Sequence, residues 1–198
     1  MKEIITSSDE KLFLLLNGKH SEFLDYIMLF ASNLFLCIPI FIYVNFIAQK
    51  YYKNQGYYHP RANAIMLVSV LFFSFLFCLF IMPQIFDIFD SRIKPCLNPR
   101  ISNWVHLVGE DCGGTNNSFA FRPCIMFCIT SFLMWTLKGD FKRTKLALVF
   151  LSLLVSYSRI YLGVHYPLNV FIGCLIGFFC GFIASRLYFY LKYNILPF

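Results

Sequence analysis

Five long apolar stretches constrain this chain more than any other feature: about Phe23 to Ala48, Ala62 to Ile85, Ser118 to Leu137, Leu146 to Ser158, and Leu168 to Leu191. A bilayer core about 30 Å thick takes roughly 20 helical residues to cross. Inside it the backbone must satisfy its own N–H and C=O groups, which a helix does and a loop does not. The fourth stretch is short, and it reaches a spanning length only by continuing through Arg159 to Gly163, which sets an arginine near a membrane surface. Composition closes off the alternatives. Only 14% of the residues are charged and 59% are hydrophobic, where a soluble domain carries roughly 25% charged residues, so a water-facing surface could not be covered. The 25 Phe exclude a disordered chain, and the lack of tandem repeats excludes a solenoid. The expected fold is all-α: a polytopic membrane helix bundle, one domain over residues 1–198, with about five transmembrane helices. A net charge of +7 would suggest nucleic acid in a soluble protein. Here it reflects lysines and arginines flanking membrane helices, and no nucleic-acid partner is expected.

Ahead of the spans, the apolar run Leu12 to Leu16 is cut off by Asn17, Gly18, Lys19 and His20, too soon for a signal-peptide core. Residues 8 to 19 read as a short interfacial helix with Ser8 as its cap. Two connections are short and basic: Lys50 to Arg61, with Lys50, Lys53 and Arg61, and Lys138 to Lys145, with Lys138, Lys142, Arg143 and Lys145 against Asp140. Such turns favour the cytoplasmic side. The amino terminus, the loop Phe86 to Asn117 and the turn around His165 then fall outside. Six cysteines (Cys37, Cys78, Cys124, Cys128, Cys174, Cys180) sit in the apolar stretches as small apolar residues. Cys96 and Cys112 lie in the outer loop, where an oxidising compartment would let them pair. Their spacing and the lack of His partners do not suit zinc, and neither a metal nor an organic cofactor is expected.

Ionisable groups at membrane depth are costly, so each is a candidate for function. The densest group runs from Ser158 and Arg159 through Ile160-Tyr161-Leu162-Gly163-Val164 to His165, Tyr166, Pro167, Leu168 and Asn169. Pro167 suits the first turn of a helix. Asn169 lies one turn beyond His165, close enough for the two to hydrogen-bond. Arg159, at the end of the preceding span, can project into the same outer pocket. A guanidinium beside an imidazole suits a phosphate, whose oxygens it binds bidentately. From residue types alone an equally available reading is that Arg159 snorkels to the headgroups and His165 caps a helix.

The whole string, however, resembles a known signature: Ser-Arg, five residues, His, three residues, Asp, the third motif of the type 2 phosphatidic acid phosphatase superfamily of membrane lipid phosphate phosphatases. Ser158, Arg159 and His165 match it, and Asn169 stands where the family has Asp. The first motif, Lys, six residues, Arg-Pro, is resembled by Arg92-Ile93-Lys94-Pro95, with Asp87 in place of the lysine and Lys94 in place of the arginine. The second, Pro-Ser-Gly-His or Ser-Ser-His, falls on Ser118-Phe119-Ala120-Phe121-Arg122-Pro123, with Arg122 or Pro123 at the histidine. The chain is thus identified as a degenerate member, a single phosphatidic acid phosphatase type 2-like domain.

The resemblance implies that His165 attacks phosphorus to form a phosphohistidine, and that the acid one turn later supports the charged imidazole. It also implies that the second motif's histidine protonates the leaving alkoxide. Asn169 offers no charge, and neither arginine nor proline donates a proton near neutral pH, a contribution worth about a hundred- to ten-thousand-fold. His106, in the outer loop, is the substitute acid to consider. An anion-binding set survives: Arg92, Lys94, Arg122, Ser158 and Arg159 around His165. A further alternative pairs Arg122 with Asp87 and makes the pocket structural.

Three functions follow. The first is an impaired homologue that binds a phosphorylated lipid headgroup or serves as a subunit of a membrane complex. The second is an active phosphatase or phosphotransferase acting on a phosphatidate or polyprenyl phosphate through His165. The third is a purely structural subunit. The expected partner is a membrane lipid, a phosphorylated one on the first two readings. Gly173, Gly177 and Gly181, at four-residue spacing, serve either packing within the bundle or an interface with a membrane protein or a second copy. The expected location is a bacterial inner membrane, with the site on the periplasmic side.

Overall fold

The computed structural model describes residues 2–89, 92–109, 112, 119–137 and 141–195, and the side chains of these from residue 6 to 86 and from 92 to 194. It is an all-α membrane bundle. In chain order the helices are α1 (Lys2–Asn17), α2 (Glu22–Ala31), α3 (Cys37–Asn54), α4 (Pro60–Leu76), α5 (Met82–Phe89), α6 (Phe121–Thr136), α7 (Lys142–Tyr161) and α8 (Pro167–Ile195). Four segments are long and apolar enough to cross a membrane: Leu34–Asn54, Pro60–Phe86, Lys142–Tyr161 and Pro167–Asn194, with Phe121–Thr136 a shorter apolar helix. Rings and aliphatic groups of Ile42, Phe46, Phe73, Phe80, Phe150 and Phe179 are exposed around the outside, as lipid-facing surfaces require.

Three expectations are corrected. The amino-terminal helix begins at Lys2, so Ser8 lies inside it and caps nothing. That helix also packs on the bundle: Phe13 is fully buried, edge-on to Tyr166 at 5.6 Å. The stretch Phe23 to Ala48 is not one helix. It breaks at Ser32-Asn33, where Asn33 accepts the Phe35 N–H at 2.9 Å and starts a 3₁₀ turn leading into α3. Asn and Ser hydroxyl or amide groups compete with the helical ladder in this way. The third correction concerns the glycine stripe. A Cβ at Gly173, Gly177 or Gly181 would stand 2.7, 2.1 or 2.3 Å from the carbonyl oxygens of Ala120, Cys124 and Cys128 on α6. The stripe is consumed by the α6–α8 contact inside the bundle, which leaves it no room for a partner or a second copy.

The second span is longer than its α-helical part, because a π-helical stretch at Phe77–Ile81 joins α4 to α5. Hydroxyls tie the middle of the bundle together. Thr130 meets Ser152 at 2.7 Å, and Ser131 donates to the Phe178 carbonyl at 2.9 Å, contacts available in lipid where water does not compete. At one end Tyr52 and Tyr188 share a 2.5 Å hydrogen bond, while the Lys192 ammonium lies 4.0 Å from the Tyr57 ring centre. At the other end the disulfide Cys96–Cys112 closes the loop, its Cα atoms 6.0 Å apart. The six membrane cysteines are free thiols.

Candidate phosphate site

Helix α7 ends by folding back on itself. The N–H groups of Val164 and His165 both point to the Arg159 carbonyl, at 3.3 and 3.2 Å. The turn needs Gly163: its φ is +81°, and a Cβ there would meet the Val105 side chain at 2.7 Å and the His106 carbonyl at 2.9 Å. Pro167 then opens α8, as its missing N–H and fixed φ allow. The result packs the motif into the protein. Arg159, His165 and Asn169 are 5%, 5% and 1% exposed, so Arg159 does not snorkel to the headgroups.

Two guanidiniums converge here. Arg122, in the first turn of α6, and Arg159 both donate to the hydroxyl of Ser32, in the break between α2 and α3. Ser32 is itself buried. A hydroxyl has two acceptor lone pairs and no charge, so this shared acceptor itself neutralises neither guanidinium. Arg92 takes a different place. Its Nη2 donates to Asp9 Oδ2 and to Asn169 Oδ1, both at 2.8 Å, and its guanidinium lies 4.6 Å from the Tyr166 ring centre. The described hydrogen bond of Asn169 therefore runs to Arg92 and not to the imidazole one turn back. Lys94 is buried and donates to the Cys112 carbonyl at 3.1 Å. Ser158 donates to the Val155 carbonyl of its own helix at 2.8 Å. Asp87 and its proposed pairing with Arg122 lie outside the described side chains.

His106 has another engagement. Its Nε2 is 3.2 Å from Asp25 Oδ1, and its ring stacks on His20 with centroids 3.7 Å apart. Asp25 also accepts the Tyr161 hydroxyl at 2.6 Å. Partial burial pushes the Asp25 carboxyl up, but the bonds from Tyr161 and His106 outweigh it and hold it below its usual range. Asn17 clamps this corner, its amide accepting the His106 N–H at 2.7 Å and donating to the Tyr161 carbonyl at 2.8 Å. Among the described residues no three His, Cys, Asp or Glu gather as metal ligands.

Asp9 and Ser32 are absent from the sequence-derived set. The polar pair Ser32-Asn33 inside an apolar run was a readable sign of a break. For Asp9, an acid on a helix more than 80 residues from Arg92, no spacing rule applies. A membrane-facing groove of about 980 Å³ opens between α3 and α4, lined by Phe41, Ile42, Ile65, Phe72 and Phe73 among others, with Arg122 at its wall.

The PAP2 superfamily pattern matches residues 115–193, the stretch that carries Arg122, Arg159, His165 and Asn169. The lipid A 4'-phosphatase of Bacteroides thetaiotaomicron is 28% identical over 197 residues, 94% of this chain and 81% of that protein. The lipid A 4'-phosphatase of Porphyromonas gingivalis is 25% identical over 190 residues, 96% of this chain and 77% of that protein. In fold, the crystal structure of Aquifex aeolicus LpxE superposes with a TM-score of 0.60 at 23% identity, over 89% of this chain and 93% of that one. Residues 115–193 of the chain are thus similar to the PAP2 superfamily. The matched stretch includes the α7–α8 turn, and the two relatives matched along nearly the whole chain are lipid A 4'-phosphatases. Against the motifs that the sequence resembles, Asn169 stands in the place of an acid and Arg122 or Pro123 in the place of a histidine.

Proposed function

We propose that this integral membrane protein binds the phosphate of a membrane lipid between Arg122 and Arg159 beside His165, on the periplasmic side of a bacterial inner membrane, and hydrolyses it far more slowly than relatives with complete motifs. The observation that carries the reading is the convergence of two guanidiniums, Arg159 buried and Arg122 half-buried, on one neutral hydroxyl. A phosphate monoester offers such a seat several charged oxygens for charge-assisted hydrogen bonds. The groove beside Arg122 is apolar and faces the membrane, which suits acyl chains of the same molecule. Lys94 and Ser158 add little on this reading, since their described bonds go to backbone carbonyls.

Slow turnover follows from charge and protonation. A guanidinium donates hydrogen bonds to an oxyanion but is no general acid for a leaving alkoxide, so Arg122 can serve the first task and not the second. Asn169, bonded to a guanidinium through its oxygen, brings no negative charge to a charged imidazole. A second reading is favoured by the names of the relatives matched along nearly the whole chain, both lipid A 4'-phosphatases: an active phosphatase using His165 as nucleophile. Phosphate release from lipid A, a phosphatidate and a polyprenyl phosphate by purified protein separates the two. Release at the level of a complete-motif relative, abolished by His165→Ala, overturns slow turnover. Binding without release, lost in Arg159→Ala, supports it.

A further inference from the structure

Asp9 reaches the histidine segment from the far end of the chain. Its side chain is 6% exposed, and both carboxylate oxygens are used: Oδ1 accepts the Leu168 N–H at 3.0 Å and Oδ2 accepts Arg92 Nη2 at 2.8 Å. The first bond caps α8 from outside, because Tyr166 ahead of Pro167 has no oxygen that could serve the first turn. The second holds a guanidinium whose same nitrogen donates to Asn169 Oδ1 at 2.8 Å. The surroundings fix this arrangement. Arg92 lies over Tyr166, and Asn98 joins the Tyr166 hydroxyl at 2.9 Å to Glu10, the neighbour of Asp9, at 3.1 Å.

Each link in the chain has a fixed polarity. A carboxylate only accepts, while a guanidinium and a backbone N–H only donate. The Asn169 amide must therefore turn its oxygen to Arg92, and N–H is all its other end can present. We infer that Asp9 is a positioning residue of the phosphate site: acting through Arg92, it orients Asn169 so that this position offers an anion donors where the family's Asp offers an acceptor. The inference rests on the phosphate-binding reading and deepens it, since it gives Asn169 a role in holding phosphate in place of supporting an imidazolium. Asp9 also balances the charge of Arg92.

The test uses full-length protein in detergent micelles, labelled with ¹⁵N-asparagine, the Asn169 side-chain signal being recognised by its loss in Asn169→Asp. A short-chain phosphatidate is the binding probe. In Asp9→Asn one acceptor oxygen must serve two donors, so the Asn169 amide signal is expected to move and phosphatidate binding to weaken about ten-fold. The direction is diagnostic, because removing a negative charge near an anion site would by its field alone tighten binding. Asp9→Glu should recover part of the loss. An unmoved amide signal, or binding that is unchanged or tighter in Asp9→Asn, overturns the inference. If the wild type binds no phosphatidate, the phosphate-binding reading fails, and the amide signal alone decides the role of Asp9. Should Asp9→Asn not fold, Arg92→Gln is read by the Asn169 amide signal alone, because losing a positive charge weakens anion binding by its field in any case; an unmoved signal overturns the inference.

Discussion

At the residue scale, Ser32 joins two cations that would otherwise repel. Its hydroxyl accepts from Arg122 on α6 and Arg159 on α7, and losing a buried acceptor for charged donors costs about 1–3 kcal/mol or more. Ser32→Ala is therefore expected to lower stability by about that amount and to weaken phosphatidate binding, while Ser32→Thr, which keeps the oxygen, retains most of both. Thermal unfolding in detergent beside a binding titration checks this; equal behaviour of the two variants would remove the role. That Arg159 and His165 sit together at the end of a span was legible from their spacing, and Pro167 marked the following helix start, whereas a phosphate role for them came only from the family resemblance. Ser32 was hidden because its chemistry depends on a helix break that brings it under two residues from other helices. Asp9 was hidden for a related reason: an acid on an exposed-looking helix acquires its meaning only from the packing of Phe13 against Tyr166, which draws α1 over the start of α8.

At the scale of elements, the tightest contact is α8 on α6, where glycines let two backbones approach closely. In lipid such contacts gain from packing, because the tails outside are as apolar as the helices. Gly177 is the closest point, with the Cys124 carbonyl 2.1 Å from where a Cβ would sit. A backbone atom cannot swing aside as a side-chain tip can. Gly177→Ala should therefore force the helices apart and destabilise by about 1–3 kcal/mol. Arg122 and Asn169 project from these two helices, so phosphatidate binding should fall with stability. An exposed change such as Phe179→Leu on the same helix should leave both near wild type, and indistinguishable unfolding of the two variants would show the contact to be looser than described. Apolar runs in the sequence located α4, α6, α7 and α8, and the fourth stretch did extend past Ser158, to Tyr161. What they missed were places where polar side chains outbid the ladder, as at Ser32-Asn33. A stripe of glycines likewise fixes a close approach without naming its partner, which turned out to be α6 of the same chain.

At the scale of the whole molecule, charge and contacts agree on two unlike ends. Tyr51 and Phe141 have ring centres 6.3 Å apart, which brings the turn after α3 beside the turn before α7, and Lys192 on α8 reaches Tyr52 and Tyr57 at the same end. The two basic connections and the carboxyl-terminal lysine thus share one side. Helix α7 begins there with Lys142 and Arg143 and carries Arg159 to the opposite side, where α8 begins beside Asp9. The disulfide Cys96–Cys112 lies in the loop whose Arg92 and Lys94 belong to that second side, and disulfides persist in oxidising compartments. Basic turns retained in the cytoplasm and a disulfide kept outside predict one orientation, with the phosphate site facing out. Single cysteines introduced at exposed positions into a chain lacking the six free thiols test it, with Cys96 and Cys112 kept as the disulfide. Gln55→Cys, in the turn after α3, should react with a membrane-impermeant maleimide only after the membrane is opened, and Asn103→Cys, in the disulfide loop, in intact cells. Labelling of position 55 in intact cells would reverse the orientation and put the phosphate site in the cytoplasm. Labelling of both in intact cells would mean that the two connections lie on one side, which α7, running its full length between them, does not allow.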